Sequence, residues 1–332
     1  MRHIPWTSIE NFHNVRRNMR LVDVADKIGV ITYRAKVKLH GTNGGIAITT
    51  DGDVHGFSRN AVLAQKSDNA GFYAWVQTQR DAWSALRRQD GTLVIYGEWC
   101  GRGIQKGTAV NSLDRRIFAV FAARVVDDMN NDIAFIIEPA ALTALVSGIQ
   151  DVHVSPWYEG VRSIDIDMSA PGDVIEPALD VLNEHVLQVE ACDPWISATF
   201  GIDGVGEGLV FYPTSENHTD HEHFSRLGFK AKGEKHRVLA QKKAVQANPP
   251  NVSGIASFVD LVITTARLEQ GACEVAGGEL TFDIKSMGNF LRWIAGDVTK
   301  ETNAEIEASG FTSKTLVQAC CSRARDWYIA RC

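Results

Sequence analysis

At Asn248-Pro249-Pro250-Asn251 the hydrophobic rhythm of this 332-residue chain changes. Two adjacent prolines can continue neither a helix nor a central strand, so the polypeptide is divided there. Before them, short apolar runs are punctuated by Gly, Asp and Asn, which is strand-and-turn texture. After them, apolar residues recur at helical spacing. The pattern predicts an α+β, antiparallel-sheet domain over residues 1–245 and a small all-helical domain over 246–332.

Within the first part, strands are expected at Val30–Leu39, Gly44–Thr50, Val54–Phe57, Leu93–Tyr96, Ile117–Val126, Val186–Ala191 and Gly208–Tyr212. Phe72, Trp75, Val76, Trp83 and Leu86 are spaced for the apolar face of one helix, and further helices are expected at Pro139–Ser147 and Pro177–Asn183. In the second part the helical stretches are Ile255–Leu268, Ile284–Ile294 and Lys314–Ile329, the last with Thr312 or Ser313 as its N-cap.

The formal net charge of −6 argues against a chain coated in positive charge. The charge is not spread evenly, however. Residues 1–123 carry 17 basic and 10 acidic residues, and 226–243 carry 7 and 1, whereas 124–193 carry 2 and 14. One acidic stretch masks two basic ones, and such asymmetry bears on partners more than the total does.

Six cysteines show no C-x-x-C pair, so neither a zinc finger nor a disulfide framework is expected. Met1 to Arg20 is charged throughout and does not read as a signal peptide, and no run approaches the ~18 apolar residues of a membrane span. A cytoplasmic protein with reduced thiols, free of membranes, is expected.

Chemistry-bearing residues recur at strand ends. Lys38 enters the turn His40-Gly41-Thr42-Asn43, where an amine is presented to a ligand and, once deprotonated, is a nucleophile. Arg59 follows a strand in Ser58-Arg59-Asn60 and suits a phosphate. Glu98 ends another strand before the Gly-rich Gly101-Arg102-Gly103-Ile104-Gln105-Lys106-Gly107, which lacks the G-K-[ST] of a Walker A loop. Phe118-Ala119-Val120-Phe121 alternates as a strand, and its aromatics favour a core role over a base-stacking one. Glu207 stands at the mouth of an apolar strand and suits a hard cation such as Mg²⁺. Lys230 and Lys232 point to one face of a strand and form a phosphate-site candidate. His218, His221 and His223 lack an evident fourth zinc ligand, so a solvated loop is the favoured reading there.

In this order the motifs K-x-H-G-T-N (Lys38–Asn43), S-R-N, G-E, G-x-G-I-Q-K, F-x-V-F, E-G-L-V and K-x-K resemble the phage-type RNA ligase 2 family of covalent nucleotidyltransferases. The resemblance implies an ATP-dependent RNA ligase, with ATP as co-substrate and Mg²⁺ or Mn²⁺ as metal. Lys38 would take AMP as a lysyl phosphoramidate. Lys230 and Lys232 would hold the α-phosphate, Phe118 would stack on adenine and Glu98 would contact the ribose. Glu207 would position metal, Arg59 and Asn43 would handle phosphate, and His40 favours the RNA branch. Substrates would be RNA 3′-OH and 5′-phosphate ends, a duplex nick above all. The resemblance also implies a monomer of the kind phages encode, acting in the cytoplasm.

Departures from the family pattern fall at Val37, Ala122-Ala123 and Tyr212, where acidic, Asp-containing and basic positions are usual. A DNA ligase or capping guanylyltransferase is the alternative, disfavoured because residues 251–332 lack the five alternating strands of an OB barrel. A non-catalytic nucleic-acid-binding module is a remoter one, since Lys38, Glu207 and both K-x-K lysines are present.

Overall fold

The computed structural model describes residues 1–21, 29–129, 131–214, 224–233, 252–277, 280–302, 306 and 311–332. The chain forms two compact units, Met1–Gly233 and Glu234–Cys332. The expected division at Asn248–Asn251 and the His218, His221 and His223 cluster lie outside the described residues.

Among its described residues the first unit has eleven strands: β1 (Glu10–Asn11), β2 (Val30–Lys38), β3 (Thr42–Ile48), β4 (Val54–Ser58), β5 (Thr92–Gly101), β6 (Arg116–Val126), β7 (Asp132–Ile136), β8 (Val152–Val154), β9 (Ile164–Asp167), β10 (Gly208–Pro213) and β11 (Phe229–Lys232). They form two mostly antiparallel sheets. Sheet one has the order β1-β11-β10-β2-β9, and sheet two β4-β3-β5-β6-β7 with β8 against β6.

Strand alternation decides which side chains meet. On sheet one, Ile31, Tyr33, Ala35, Val37, Leu209, Phe211 and Phe229 pack outward on the helices Phe12–Leu21 and Gly172–Ala191. The opposite face carries Val210 and Tyr212, which share a core with Ala47, Val94, Tyr96 and Ala122 of sheet two. The two sheets therefore face one another. On its far side sheet two buries Ile46, Ile95, Phe118 and Val120 under Phe72, Val76 and Trp83.

Three expectations are corrected. Val186–Ala191 is not a strand: it ends the twenty-residue helix Gly172–Ala191, in which Leu182, Val186, Val189 and Glu190 are buried at helical spacing. That helix also runs past both ends of the expected Pro177–Asn183. The helix through Phe72 and Trp83 is two, Phe72–Thr78 and Arg80–Ser84, broken at Gln79, where the backbone leaves helical geometry. Ile255–Leu268 likewise divides into Val252–Val262 and Thr265–Val275, because Thr264 caps the second helix by accepting from Arg267 N.

The second unit is helical among its described residues, with Met287–Glu301 and Ser313–Ile329 completing it. Phe258, Val262, Leu268, Phe290, Ile294, Leu316, Cys320 and Tyr328 form its core. Thr312 caps the last helix through its side chain, as its position before Lys314 suggested.

Candidate active site

Three adjacent strands converge on one carboxylate. Gly208 opens β10 and pairs with Lys38 at the end of β2 on one side and with Lys232 at the end of β11 on the other. Cross-strand partners share a face, so both lysines project toward sheet two beside Glu207, the residue preceding the strand. Glu207 Oε2 accepts from Lys38 Nζ at 2.7 Å and lies 3.6 Å from His40 Nδ1, while Oε1 lies 3.4 Å from Lys232 Nζ.

Glu207 is only 3% exposed. Burial alone would push its carboxyl up, but Lys38 and Lys232, then His40, outweigh it and hold the group well below the usual carboxylate range. A buried anion met by two lysines is an electrostatic hub: any change at one lysine is felt by the carboxylate.

Close backbone approach makes this possible. Gly208 has φ +147°, and a Cβ there would stand 2.2 Å from Ala231 O, so only glycine lets β10 and β11 close. Gly41 is similarly confined, its Cβ position lying 2.4 Å from Trp99 O, and its N–H donates to Glu98 Oε1 at 3.0 Å. Glu98 faces Asn43 across β3 and β5. Glu98 therefore sits on the turn that follows the nucleophile candidate.

The Gly-rich loop after β5 grips the same turn from outside. Asn111 Nδ2 donates to His40 O at 3.0 Å and to Ile104 O at 2.7 Å, and Gln105 Nε2 reaches Gly41 O at 3.5 Å. Asn111 Oδ1 accepts from the backbone N–H and hydroxyl of Thr108. The sequence drew attention to the glycines of this loop and not to Asn111, whose use depends on the fold.

The structure thus brings together Lys38, His40, Glu207 and Lys232, with Glu98 and Asn43 along the adjoining turn. Lys230 lies two residues before Lys232 on the same face, opposite Val210. Arg59 is exposed, just beyond the β4 end that pairs with Gly44 next to Asn43. Phe118 is not brought to the carboxylate. It is fully buried on the far side of sheet two, its ring 5.1 Å from Phe72 and 5.8 Å from Trp75. Phe121 lies three positions after Phe118, an odd spacing, so alternation sends them to opposite faces, and it is the half-buried Phe121 that packs with the inter-sheet cluster. Val37 and Tyr212 are buried, Val37 in the outward core of sheet one and Tyr212 in the cluster between the sheets.

Among the described residues no three His, Cys, Asp or Glu side chains group as a metal site. Glu207, the buried carboxylate that Lys38, His40 and Lys232 face, would suit a Mg²⁺-like ion as an oxygen donor. No described helix is long and apolar enough to cross a membrane.

Two facing, mostly antiparallel sheets thus set lysines from separate strands around one buried carboxylate. A family model described as RNA ligase matches residues 31–232, more than half of the chain and every strand that builds the cluster. The chain belongs to the RNA ligase family. Among solved structures it is similar to the Naegleria gruberi RNA ligase with PPi, at 20% identity and a TM-score of 0.43, covering 70% of this chain and 57% of that one. A mutant of that ligase with ATP and Mn matches at 18% identity with the same coverage and TM-score. The chain thus spans 57% of the length of these ligases. Comparison with curated proteins gave no match.

Proposed function

We propose that the chain is an ATP-dependent RNA ligase that joins RNA 3′-OH and 5′-phosphate ends through AMP carried on Lys38. The observation that supports this most is the register of Lys38, Gly208 and Lys232, which sets an amine, a buried carboxylate and a second cation side by side. In this reading Lys38 Nζ gives up a proton and attacks the α-phosphorus of ATP. A P–N bond forms and the P–O bond to pyrophosphate breaks. The AMP then passes to a 5′-phosphate, and the 3′-OH displaces AMP to form the phosphodiester. Dividing a difficult ligation into covalent steps is the usual value of a nucleophile.

Lys230 and Lys232 neutralise the α-phosphate, Glu98 contacts the ribose, and Asn43 and Arg59 hold phosphate at the transfer steps. Phe121, rather than Phe118, supplies the aromatic wall for the base, because it is the aromatic of F-x-V-F on the cleft face. Glu207 holds Mg²⁺ or Mn²⁺, and the ion, once bound, neutralises phosphate charge. Residues 1–233 act as the adenylyltransferase domain and the helical unit as a ligase-specific C-terminal domain. A nick in duplex RNA or an RNA-containing hybrid is the preferred substrate. The basic segments 1–123 and 226–243 make binding weaken as salt rises.

Incubation with α-labelled ATP and Mg²⁺ tests the chemistry: a labelled band at the protein's own mass is expected, and it disappears in Lys38→Ala. No band, or one that survives that substitution, overturns the mechanism. Preferential labelling by GTP would instead support capping chemistry.

A further inference from the structure

Lys36 has an unusual setting for a lysine. It is 1% exposed and projects from β2 into the space between the sheets, on the same face as Lys38. Its Nζ donates to Phe121 O at 2.8 Å and to Ile137 O at 2.7 Å, one carbonyl on β6 and the other just past the end of β7. The ring centroids of Trp157 and Tyr212 lie 4.8 Å and 5.6 Å from the same nitrogen. Lysines are rarely buried this fully unless their donors are satisfied.

The partner explains the placement. Between β5 and β6 the register jumps from Tyr96↔Ala122 to Gly97↔Val120, so Phe121 is the extra residue of a β-bulge. It has no register partner in β5, β7 or β8. A bulge leaves one residue outside the ladder and re-aims its side chain. The Phe121 carbonyl, in a buried region, needs a donor from elsewhere, and Lys36 supplies it from the opposite sheet.

We propose that Lys36 is a positioning residue for nucleotide binding: its amine fixes the Phe121 bulge so that the Phe121 ring is held as the wall of the base site. This rests on the reading of Phe121 as that wall. Lys36 also joins the strand that carries Lys38 to the strand that carries Phe121, tying the phosphate end of the site to the base end. Burial lowers the Lys36 amine to about 7, with Glu138 opposing and Arg34 adding to the shift. A neutral amine still has two N–H donors, so both carbonyls stay satisfied in either protonation state.

The test measures self-adenylylation rates against ATP concentration. Lys36→Met keeps the length and removes the donors. It is expected to raise the KM for ATP about tenfold while the rate at saturating ATP stays within about threefold, the signature of lost ground-state binding. Lys36→Arg, which again offers donors to both carbonyls, restores KM. Lys36→Gln, with one amide donor group, gives an intermediate KM and decides the matter if Lys36→Met does not fold. In a Phe121→Leu background, Lys36→Met is expected to add less than about a twofold change, because residues acting through one another are not additive.

A lowered melting temperature with unchanged KM, a fall in the saturated rate alone, or full additivity with Phe121→Leu would each overturn the proposal. The failures are separable. If Phe121→Leu itself keeps a normal KM, the base-wall reading is lost. If Phe121→Leu raises KM and Lys36→Met does not, only the role of Lys36 is lost.

Discussion

Glu207 accepts from Lys38 at 2.7 Å while its other oxygen faces Lys232 at 3.4 Å. One carboxylate therefore holds the nucleophile candidate and a phosphate-binding candidate in fixed relation, and the three strands beneath them cannot slide without separating the charges. Four outcomes are expected from this arrangement and its supports.

Replacing Glu207 by Gln leaves two lysines beside a group that no longer balances them. Breaking a buried pair on one side typically costs about 3–5 kcal/mol, and because Lys38 is 22% exposed the expected loss lies at or below the low end, about 2–3 kcal/mol by urea titration. The pH dependence follows from the direction of the shift. A carboxyl held low contributes stability above its unfolded pKa, and that stability is lost as pH falls through the folded one. Glu207→Gln should flatten the acid limb of the stability profile below about pH 4.5. An unchanged acid limb would show that Glu207 is not charged in the folded protein.

Gly208→Ala places a methyl group against Ala231 O at a backbone angle that L-residues rarely adopt. The β10–β11 pairing must open, moving Lys232 from Glu207. Misplacement near the chemistry by about 1 Å can cost on the order of 100-fold. Adenylylation of Lys38 should fall by at least about tenfold, with a loss of stability in the range of about 1–3 kcal/mol for backbone strain. Wild-type labelling kinetics in this variant would count against Lys232 as a phosphate contact.

Asn111→Asp keeps an oxygen to accept from Thr108 but removes the N–H groups that reach His40 O and Ile104 O. It also sets a carboxylate against two carbonyls. Adenylylation is expected to fall about tenfold, in line with about 1–2 kcal/mol per lost buried hydrogen bond, whereas sealing of RNA supplied with a pre-adenylylated 5′-end should fall less. Equal losses in both assays would mean that Asn111 serves the whole unit rather than the Lys38 turn.

Lys36, with its amine lowered to about 7, gives stability a dependence of the same sense in a higher pH range. Between about pH 7 and 10 the unfolded chain keeps the proton that the folded chain has released, so stability rises with pH, by up to a few kcal/mol. The difference between wild type and Lys36→Met, measured at pH 6, 8 and 9.5, isolates this group because titrations common to both proteins cancel. A constant difference across that range would mean that Lys36 titrates normally.

Part of the site was readable before any fold was known. K-x-H-G-T-N, E-G-L-V and K-x-K each place a candidate side chain at a strand end, and alternation set Lys230 and Lys232 on one face, as the register has them. The same rule could not choose between Phe118 and Phe121. It separates them without saying which face of β6 looks into the cleft. Val186–Ala191 misled because a β-branched run also fits the buried stripe of a long helix, and only packing against sheet one distinguishes the two.

The sequence by itself determined the residue types, their order and the strand ends that present them, because these follow from local periodicity and turn chemistry. Tertiary structure alone decided that Lys38, Glu207 and Lys232 share one charge cluster, since it requires β2, β10 and β11, far apart along the chain, to be neighbours in one sheet. It also decided that Lys36, two residues from Lys38, is buried, and that the face of β6 carrying Phe121 is the one that looks toward sheet one. Register, bulges and inter-sheet facing arise from contacts between distant segments, and local sequence carries no record of them.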